Sequence, residues 1–391
     1  MTAASKAVNP EANQIRSKVV IVGEYVRAEE NSTGYFWEGA ISHLRSNGVN
    51  VEVVSYTRPM SARVRANAFL RLATKTVVAL GLTLGILKAS RRGDVVFSGT
   101  NPEILLPILA LVCRLRGMRL CVLVHDVFPE NLVAAGLLRR GSPAMRVLGA
   151  IYRRVYASFD KAIVIGRDMR ELVDQKAGRQ IAYPVHNWVD SDDVKAADRL
   201  SSGILEKLGW EDRVVFQFFG NMGRLQDIDT LLRAMDLVTT DKAAFLFAGS
   251  GVMRSAAEQA CEGRDNRHVM EIDHGYSRSA MLSSCDVALV CLDQRMLGLG
   301  VPSKAYFSLA ADRPILAIMD ENAEVARLVT EERIGWHVRA GDPIALAAAI
   351  DRICTEEPSI GSGRCRALSK SRLSADLALE QVRRQLERLM E

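Results

Sequence analysis

Short apolar runs alternate with helix-patterned stretches along almost the whole chain, and this alternation restricts the fold more than any other feature. In the first half, Val19–Gly23, Val51–Ser55, Val95–Ser98, Arg119–His125 and Ala162–Gly166 read as strands. Tyr35–Ser46, Ile104–Arg116, Met145–Ser158 and Met169–Gln175 carry apolar residues at helical spacing. A second series follows, with strands at Val214–Gly220, Ala244–Gly249, Val287–Cys291, Pro314–Met319 and Trp336–Arg339. Its helices are Asp229–Val238, Met253–Cys261, Ser303–Ala311, Ala323–Val329 and Pro343–Cys354. Strands separated by helices of this length predict parallel sheets covered by helices. The polar stretch Asp190–Ser202 divides the two series, and 391 residues are ample for two cores. The expected fold is therefore α/β, with two doubly wound, Rossmann-like domains at residues 19–195 and 196–371. Residues 1–18 are expected to form a loose tail and 372–391 a final helix. Ligands of such sheets lie beyond the carboxyl ends of the strands, which puts the site between the two domains.

Two glycine-rich turns in the second half point to the chemistry. One is Phe218-Phe219-Gly220-Asn221-Met222-Gly223-Arg224; the other runs from Gly298 to Pro314, GLGVPSKAYFSLAADRP. The second passes through Pro302-Ser303-Lys304 into a predicted helix, where proline suits the first turn. Free backbone N–H groups at such a helix start attract anions. With Arg224 and Lys304 behind them, the two turns suggest a clamp for a diphosphate, although glycine turns also serve as plain strand-to-helix connections. Arg224 suits a bidentate grip on phosphate oxygens, and Lys304 a mobile point charge. Gly220, Gly223, Gly298 and Gly300 are expected to let the backbone approach the ligand.

The charge is uneven. Residues 1–200 hold 28 Lys/Arg against 18 Asp/Glu, whereas the remainder holds 23 against 28. Between Val53 and Gly93 there are eight basic residues, from Arg58 to Arg92, and no acidic one. Embedded there is the apolar run Val77–Leu87, too short for the roughly 20 residues that span a bilayer. A basic segment around an apolar one suits an anionic membrane surface; a buried helix with a solvated basic flank gives the same pattern. Aromatic residues are 6% of the chain, and no nucleic-acid-binding motif is visible, so no nucleic-acid partner is expected. The seven scattered cysteines form no Cys-x-x-Cys pair, which argues for a reducing compartment and against a zinc site. The amino-terminal residues lack the apolar core of a signal peptide.

The motifs, taken in order, resemble the GT-B fold of nucleotide-sugar glycosyltransferases. They are most similar to retaining family-four enzymes of the branch that builds bacterial capsule, O-antigen and exopolysaccharide. The resemblance rests on Gly23 through Thr33-Gly34, HDVFPENLVAAGLL (His125 to Leu138), HNWVD (His186 to Asp190), GNMGR, AGSG (Ala248 to Gly251) and the Gly298–Pro314 turn. It implies a nucleotide-sugar donor, a polyprenyl-diphosphate-linked saccharide acceptor, no cofactor and no metal. It also implies a place on the cytoplasmic face of the cell membrane and a last helix that crosses back onto the first domain. His125, Arg224 and Lys304 are the expected catalytic residues. Gly220, Asn221, Gly223, Gly249, Ser250, Gly298, Gly300, Ser303 and Tyr306 are expected at the donor, and Tyr25, Thr33, Gly34, Asp126 and Glu130 at the acceptor. Asp126 and Glu130 equally suit the start of a short helix over Asn131–Leu137. The sequence departs from the family pattern where two glutamates are usual, at Leu299 and Phe307. Gln226 stands where a lysine often follows the first turn, and Asp312 where glycine is usual. These departures support one alternative on the same fold, a non-catalytic nucleotide-binding partner of a polysaccharide assembly complex; a second alternative, a nucleotide-sugar 2-epimerase, is weakened by the absent glutamate at Leu299.

Overall fold

The computed structural model describes residues 17–28, 32–56, 68–189, 193–272, 276–356 and 363–391. Residues 1–16 of the expected tail, the cations Arg58, Arg63 and Arg65, and Asp190–Asp192 of the expected linker lie outside them.

Two six-stranded sheets, all parallel, form the centre of the molecule. In the first, β1 (Val19–Gly23), β2 (Val51–Ser55), β3 (Val95–Gly99), β4 (Arg119–Val124), β5 (Lys161–Val164) and β6 (Ala182–Pro184) lie in the order β2-β1-β3-β4-β5-β6. The crossovers are α1 (Ser32–Ser46), α2 (Ala68–Ala89), α3 (Leu105–Arg116), α4 (Glu130–Ala134) with α5 (Pro143–Ala157), and α6 (Arg167–Ala177). β1, β3 and β4 are apolar nearly throughout because both faces are covered, and Trp37 of α1 packs edge-on against Phe97 at 4.9 Å.

The second sheet runs β12-β11-β10-β7-β8-β9. Its strands are β7 (Val214–Phe219), β8 (Ala243–Ala248), β9 (Arg267–Met270), β10 (Val287–Cys291), β11 (Ile315–Ile318) and β12 (Gly335–Val338). The order reverses between β7 and β10, which makes the crevice beyond their carboxyl ends the natural ligand position. Helices α7 (Ile204–Leu208), α8 (Ile228–Met235), α9 (Arg254–Cys261), α10 (Arg278–Ser283), α11 (Lys304–Ala310), α12 (Glu324–Glu332), α13 (Pro343–Thr355) and α14 (Arg364–Ser371) belong to this half. The last helix, α15 (Ala375–Met390), returns to pack on α1, and Val189 bridges to Ser374 at that return.

Several elements differ from the sequence reading, among them the short helices α7, α10 and α14, which it did not contain. The edge strands β6 and β9 are short and partly polar, so neither carries the apolar run that marks a central strand. α2 spans 22 residues, twice the apolar run recognised in the sequence. Its Leu72–Ala89 stretch is, among the described residues, long and apolar enough by length and composition to cross a membrane. Val78, Ala79, Leu82 and Ile86 on its inner face are fully buried, and the helix packs on β1 and β2.

Candidate active site between the two sheets

β7 delivers Phe218 and Phe219 to the crevice, and the chain turns at Gly220 with φ +110°. A side chain on Gly220 would meet open space, so this glycine is required by its backbone conformation and leaves room beside it. The turn then folds against the end of β10, where the Asp293 N–H donates to the Leu225 carbonyl at 2.9 Å. Gly249 and Gly251 have a different task. A Cβ on Gly249 would lie 1.9 Å from the Gly220 carbonyl oxygen, and one on Gly251 2.5 Å from that of Met222. They let the turn after β8 lie directly under the turn after β7, and the Met222 N–H donates to the Ser250 carbonyl at 2.7 Å. Ser250 and Asn221 remain exposed at the rim.

Lys304 opens α11 and reaches back over the β7 end. Its ammonium sits 3.5 Å from the Phe218 ring centroid and has no hydrogen-bond partner among the described residues. Burial lowers its pKa from 10.5 to about 8. An unpartnered buried cation beside an open glycine turn is a site prepared for an anion. Gln226, in the adjacent turn, also has a buried side-chain oxygen without a partner. Arg224 is exposed, carries no ion pair among the described residues, and lines a cavity of about 370 Å³ with Gly223, Asp293 and Arg295. Arg295 is already held by Asp293 at 2.7 Å.

The other half of the crevice is the end of β4. His125 follows the strand, its ring 6.0 Å from that of Phe36, and burial lowers its pKa to about 4. The imidazole is therefore neutral at physiological pH and available as a hydrogen-bonding group rather than a charge. Asp126 is raised to about 6, by burial first and by the nearby Glu103 second. It forms an isolated antiparallel bridge with Gly300, and the Val127 N–H donates to the Leu299 carbonyl at 2.9 Å. The second glycine turn, which leads into α11 and Lys304, is thus laid against the end of β4 beside His125 and Asp126.

Several of the expected site residues have structural surroundings of their own. A Cβ on Gly298, whose φ is +71°, would stand 3.0 Å from the Asp168 carbonyl oxygen. One on Gly300 would stand 3.1 Å from that of His125. Both glycines let the two halves of the molecule approach closely. Gly34 is buried in the first turn of α1, where a Cβ would lie 1.9 Å from the Arg27 carbonyl oxygen. Thr33 beside it and Tyr25 before it are partly exposed. Glu130 accepts from Lys176 at 2.7 Å with both oxygens; Lys176 is buried, so the carboxylate neutralises it. Tyr306 is 2% exposed and belongs to the core. Ser303 is partly exposed before α11 but makes no capping hydrogen bond, and α11 has only seven residues.

The departures from the family pattern now have physical surroundings. Phe307 packs between Tyr35, with centroids 6.1 Å apart, and the Arg278 guanidinium 5.4 Å away. No carboxylate stands there. Asp312 keeps a glycine-like φ of +62°, and its carboxylate accepts from the Gly363 and Arg366 N–H groups at the start of α14. It supplies a capping group for a helix whose own N-cap is glycine.

The sequence reading missed the seam that holds the crevice closed. Arg167, at the start of α6, donates to Glu324 at 3.0 Å and to Glu331 at 2.8 Å. Its neighbour Asp168 accepts from the Gly298 N–H at 3.3 Å, and burial raises its pKa to about 6. These pairs join residues more than 120 positions apart, with no local signature in the sequence. Among the described residues, no group of three His, Cys, Asp or Glu side chains is placed to hold a metal ion.

Comparison with known proteins agrees with this architecture. The family profile of Glycosyl transferases group 1 matches residues 213–356, which contain the β7 turn, Lys304 and the whole second sheet. A protein of Pseudomonas aeruginosa named probable glycosyltransferase WbjE is 38% identical over 93% of this chain and 96% of its own length. Among solved structures, Anabaena HepE in complex with UDP superposes with a TM-score of 0.68 at 12% identity, covering 96% of this chain and 100% of HepE. WaaG, a glycosyltransferase involved in lipopolysaccharide biosynthesis, gives 0.68 at 12% identity over 94% of this chain and 99% of its own. The two facing parallel sheets are the GT-B fold, and with a relative this similar over nearly its full length the chain belongs to the group 1 glycosyltransferases.

Proposed function

We propose that this glycosyltransferase moves a sugar, with retention of anomeric configuration and without a metal, from a nucleoside-diphosphate sugar to a polyprenyl-diphosphate-linked saccharide. The setting we infer is bacterial surface polysaccharide synthesis at the cytoplasmic face of the membrane. The observation that carries the reading is the unpartnered ammonium of Lys304 over Phe218, beside the open turn at Gly220. In the reaction, the bond between C1 and the β-phosphate oxygen breaks while the acceptor oxygen bonds to C1. The acceptor proton leaves with the diphosphate. Negative charge grows on the departing phosphates, and fixed positive charge placed there lowers the barrier. Lys304 and Arg224 have that role in this reading, and neutral His125 hydrogen-bonds the donor sugar. Asp126 orients the acceptor hydroxyl. Anabaena HepE has been solved with UDP and with UDP-glucose, and WaaG acts in lipopolysaccharide synthesis, which supports both the donor class and the setting.

The second reading, a non-catalytic nucleotide-binding partner, is favoured by the apolar surroundings of Phe307 and by Leu299, where the family carries carboxylates. Both are tested by incubating radiolabelled UDP-, GDP- and dTDP-sugars with bacterial lipid extract, using the wild type, Arg224→Ala and Lys304→Ala. Label entering the lipid fraction from one donor, and lost in both variants, is the expected result. Nucleotide binding with no transfer from any donor overturns the reading in favour of the partner, and epimer formation without an acceptor overturns it in favour of a 2-epimerase.

A further inference from the structure

We propose that the outer face of the helical layer formed by α2, α3 and α5 is a docking surface for an anionic lipid bilayer. It extends well beyond the basic segment visible in the sequence. The inference rests on the lipid-borne acceptor of the proposed function for its purpose, but not for its evidence.

A helix that covers a sheet normally turns a polar stripe to water. α2 does not. Its inner face is sealed on β1 and β2, yet Leu80 and Leu84 on the other side are 53% and 60% exposed. Leu72 and Leu87 continue the same outward row. α3 packs beside α2 and adds Leu111 and Leu115, 58% and 75% exposed. α5 packs beside α3 and adds Val147 and Ile151. One exposed leucine is unremarkable, but an apolar row shared by three adjacent helices marks an interaction surface.

The topology gives this surface a basic border. α2 and α3 follow parallel strands, so both run from the crevice end of the sheet to the opposite end and finish side by side. Lys88, Arg91 and Arg92 lie at the end of α2, and Arg114 and Arg116 at the end of α3. The two ends touch: Arg116 donates to the Leu87 carbonyl at 2.6 Å, and Arg92 covers Gly117. Lys88, Arg92 and Arg114 have no carboxylate partner among the described residues. The nearby Asp94 is occupied by the backbone N–H groups of Lys18 and Arg91.

Leucines bordered by unpaired cations fit a bilayer with anionic headgroups, into which the apolar face sinks to the acyl boundary. A second copy of this chain fits less well, because a two-fold interface would set the same cations against each other. Docked in this way, α2 and α3 begin at the crevice end of the sheet. The crevice then opens along the membrane plane, at the level of a lipid-borne diphosphate.

The test is co-sedimentation of the full chain with vesicles of phosphatidylglycerol mixed into phosphatidylcholine, and with phosphatidylcholine vesicles alone. Its variants are Leu84→Glu with Leu115→Glu, and Lys88→Glu with Arg114→Glu. All four positions are away from the crevice, and unchanged melting of each variant verifies the fold. The wild type is expected to bind the anionic vesicles at least about tenfold better, at roughly fivefold per cation engaged. The leucine variant is expected to lose about tenfold or more on both vesicles. The charge variant loses its binding to the anionic ones and most of its salt dependence. Equal binding to both vesicles, or binding unchanged in well-folded variants, overturns the proposal. So does wild-type self-association that the leucine variant abolishes without any vesicle binding. No sugar nucleotide enters the assay, so docking without transfer sinks the functional reading alone. Transfer to a soluble acceptor without docking sinks this one alone.

Discussion

Replacing Lys304 by methionine should stabilise the empty protein while disabling it. The ammonium is buried over Phe218 without a hydrogen-bond partner, and its pKa falls from 10.5 to about 8. Each pH unit of that displacement is worth about 1.36 kcal/mol, so holding the charge costs the ligand-free fold about 3 kcal/mol. Attraction to the face of Phe218 returns about 1 kcal/mol, leaving a net cost of roughly 2 kcal/mol. Methionine keeps an unbranched apolar stem and removes the charge. Lys304→Met is therefore expected to gain about 2 kcal/mol in denaturant unfolding near neutral pH. Its transfer activity should fall by about 10²–10³-fold, the usual loss when a preorganised partner of developing negative charge is removed. The sign of the pH dependence follows from a folded pKa below the unfolded one. The penalty is complete below about pH 8 and fades towards pH 10.5, because the folded chain then releases the proton without loss. The stability gap between variant and wild type should thus hold steady up to about pH 8 and narrow from there towards about pH 10.5. A variant no more stable than the wild type at neutral pH, or one that retains transfer, refutes the view that an anion completes this site.

Three further outcomes are expected. Arg224→Ala should leave the melting temperature unchanged, since the side chain is exposed and unpaired, while kcat/KM for transfer falls by about 10²-fold. Asp126 titrates at about 6, so transfer should decline about tenfold per pH unit below that value if its carboxylate positions the acceptor. Asp168 also titrates at about 6, and a limb that flattens in Asp126→Asn assigns it to Asp126. Glu130→Gln should lower stability by about 2 kcal/mol by stranding the buried Lys176, with transfer by the remaining folded protein unchanged; a selective loss of transfer would restore Glu130 to the acceptor site.

By itself the sequence determined the parts that local pattern controls. Apolar runs of five or six residues between amphipathic helices require parallel strands with covered faces, and β1, β2 and β10 have the limits read from the sequence. The turn at Gly220 was legible because φ of +110° at a strand end demands glycine, and the Lys304 turn because Pro-Ser-Lys begins a helix. Tertiary structure decided what each glycine and charge is for. Gly298 and Gly300 look like phosphate-cradling residues in sequence, yet Asp168 and His125, distant along the chain, occupy the space before their Cα atoms. Glu130 became a structural carboxylate only because α6 brings Lys176 to it, and Asp312 became a capping residue only because α14 begins beside it. The same holds for the leucines of α2: spacing alone does not tell which side of a helix apolar on both faces the sheet will cover. Local patterns fix backbone conformation within a few residues, whereas a side chain's role depends on which distant segment fills the space around it. That is set only when the two sheets close on each other.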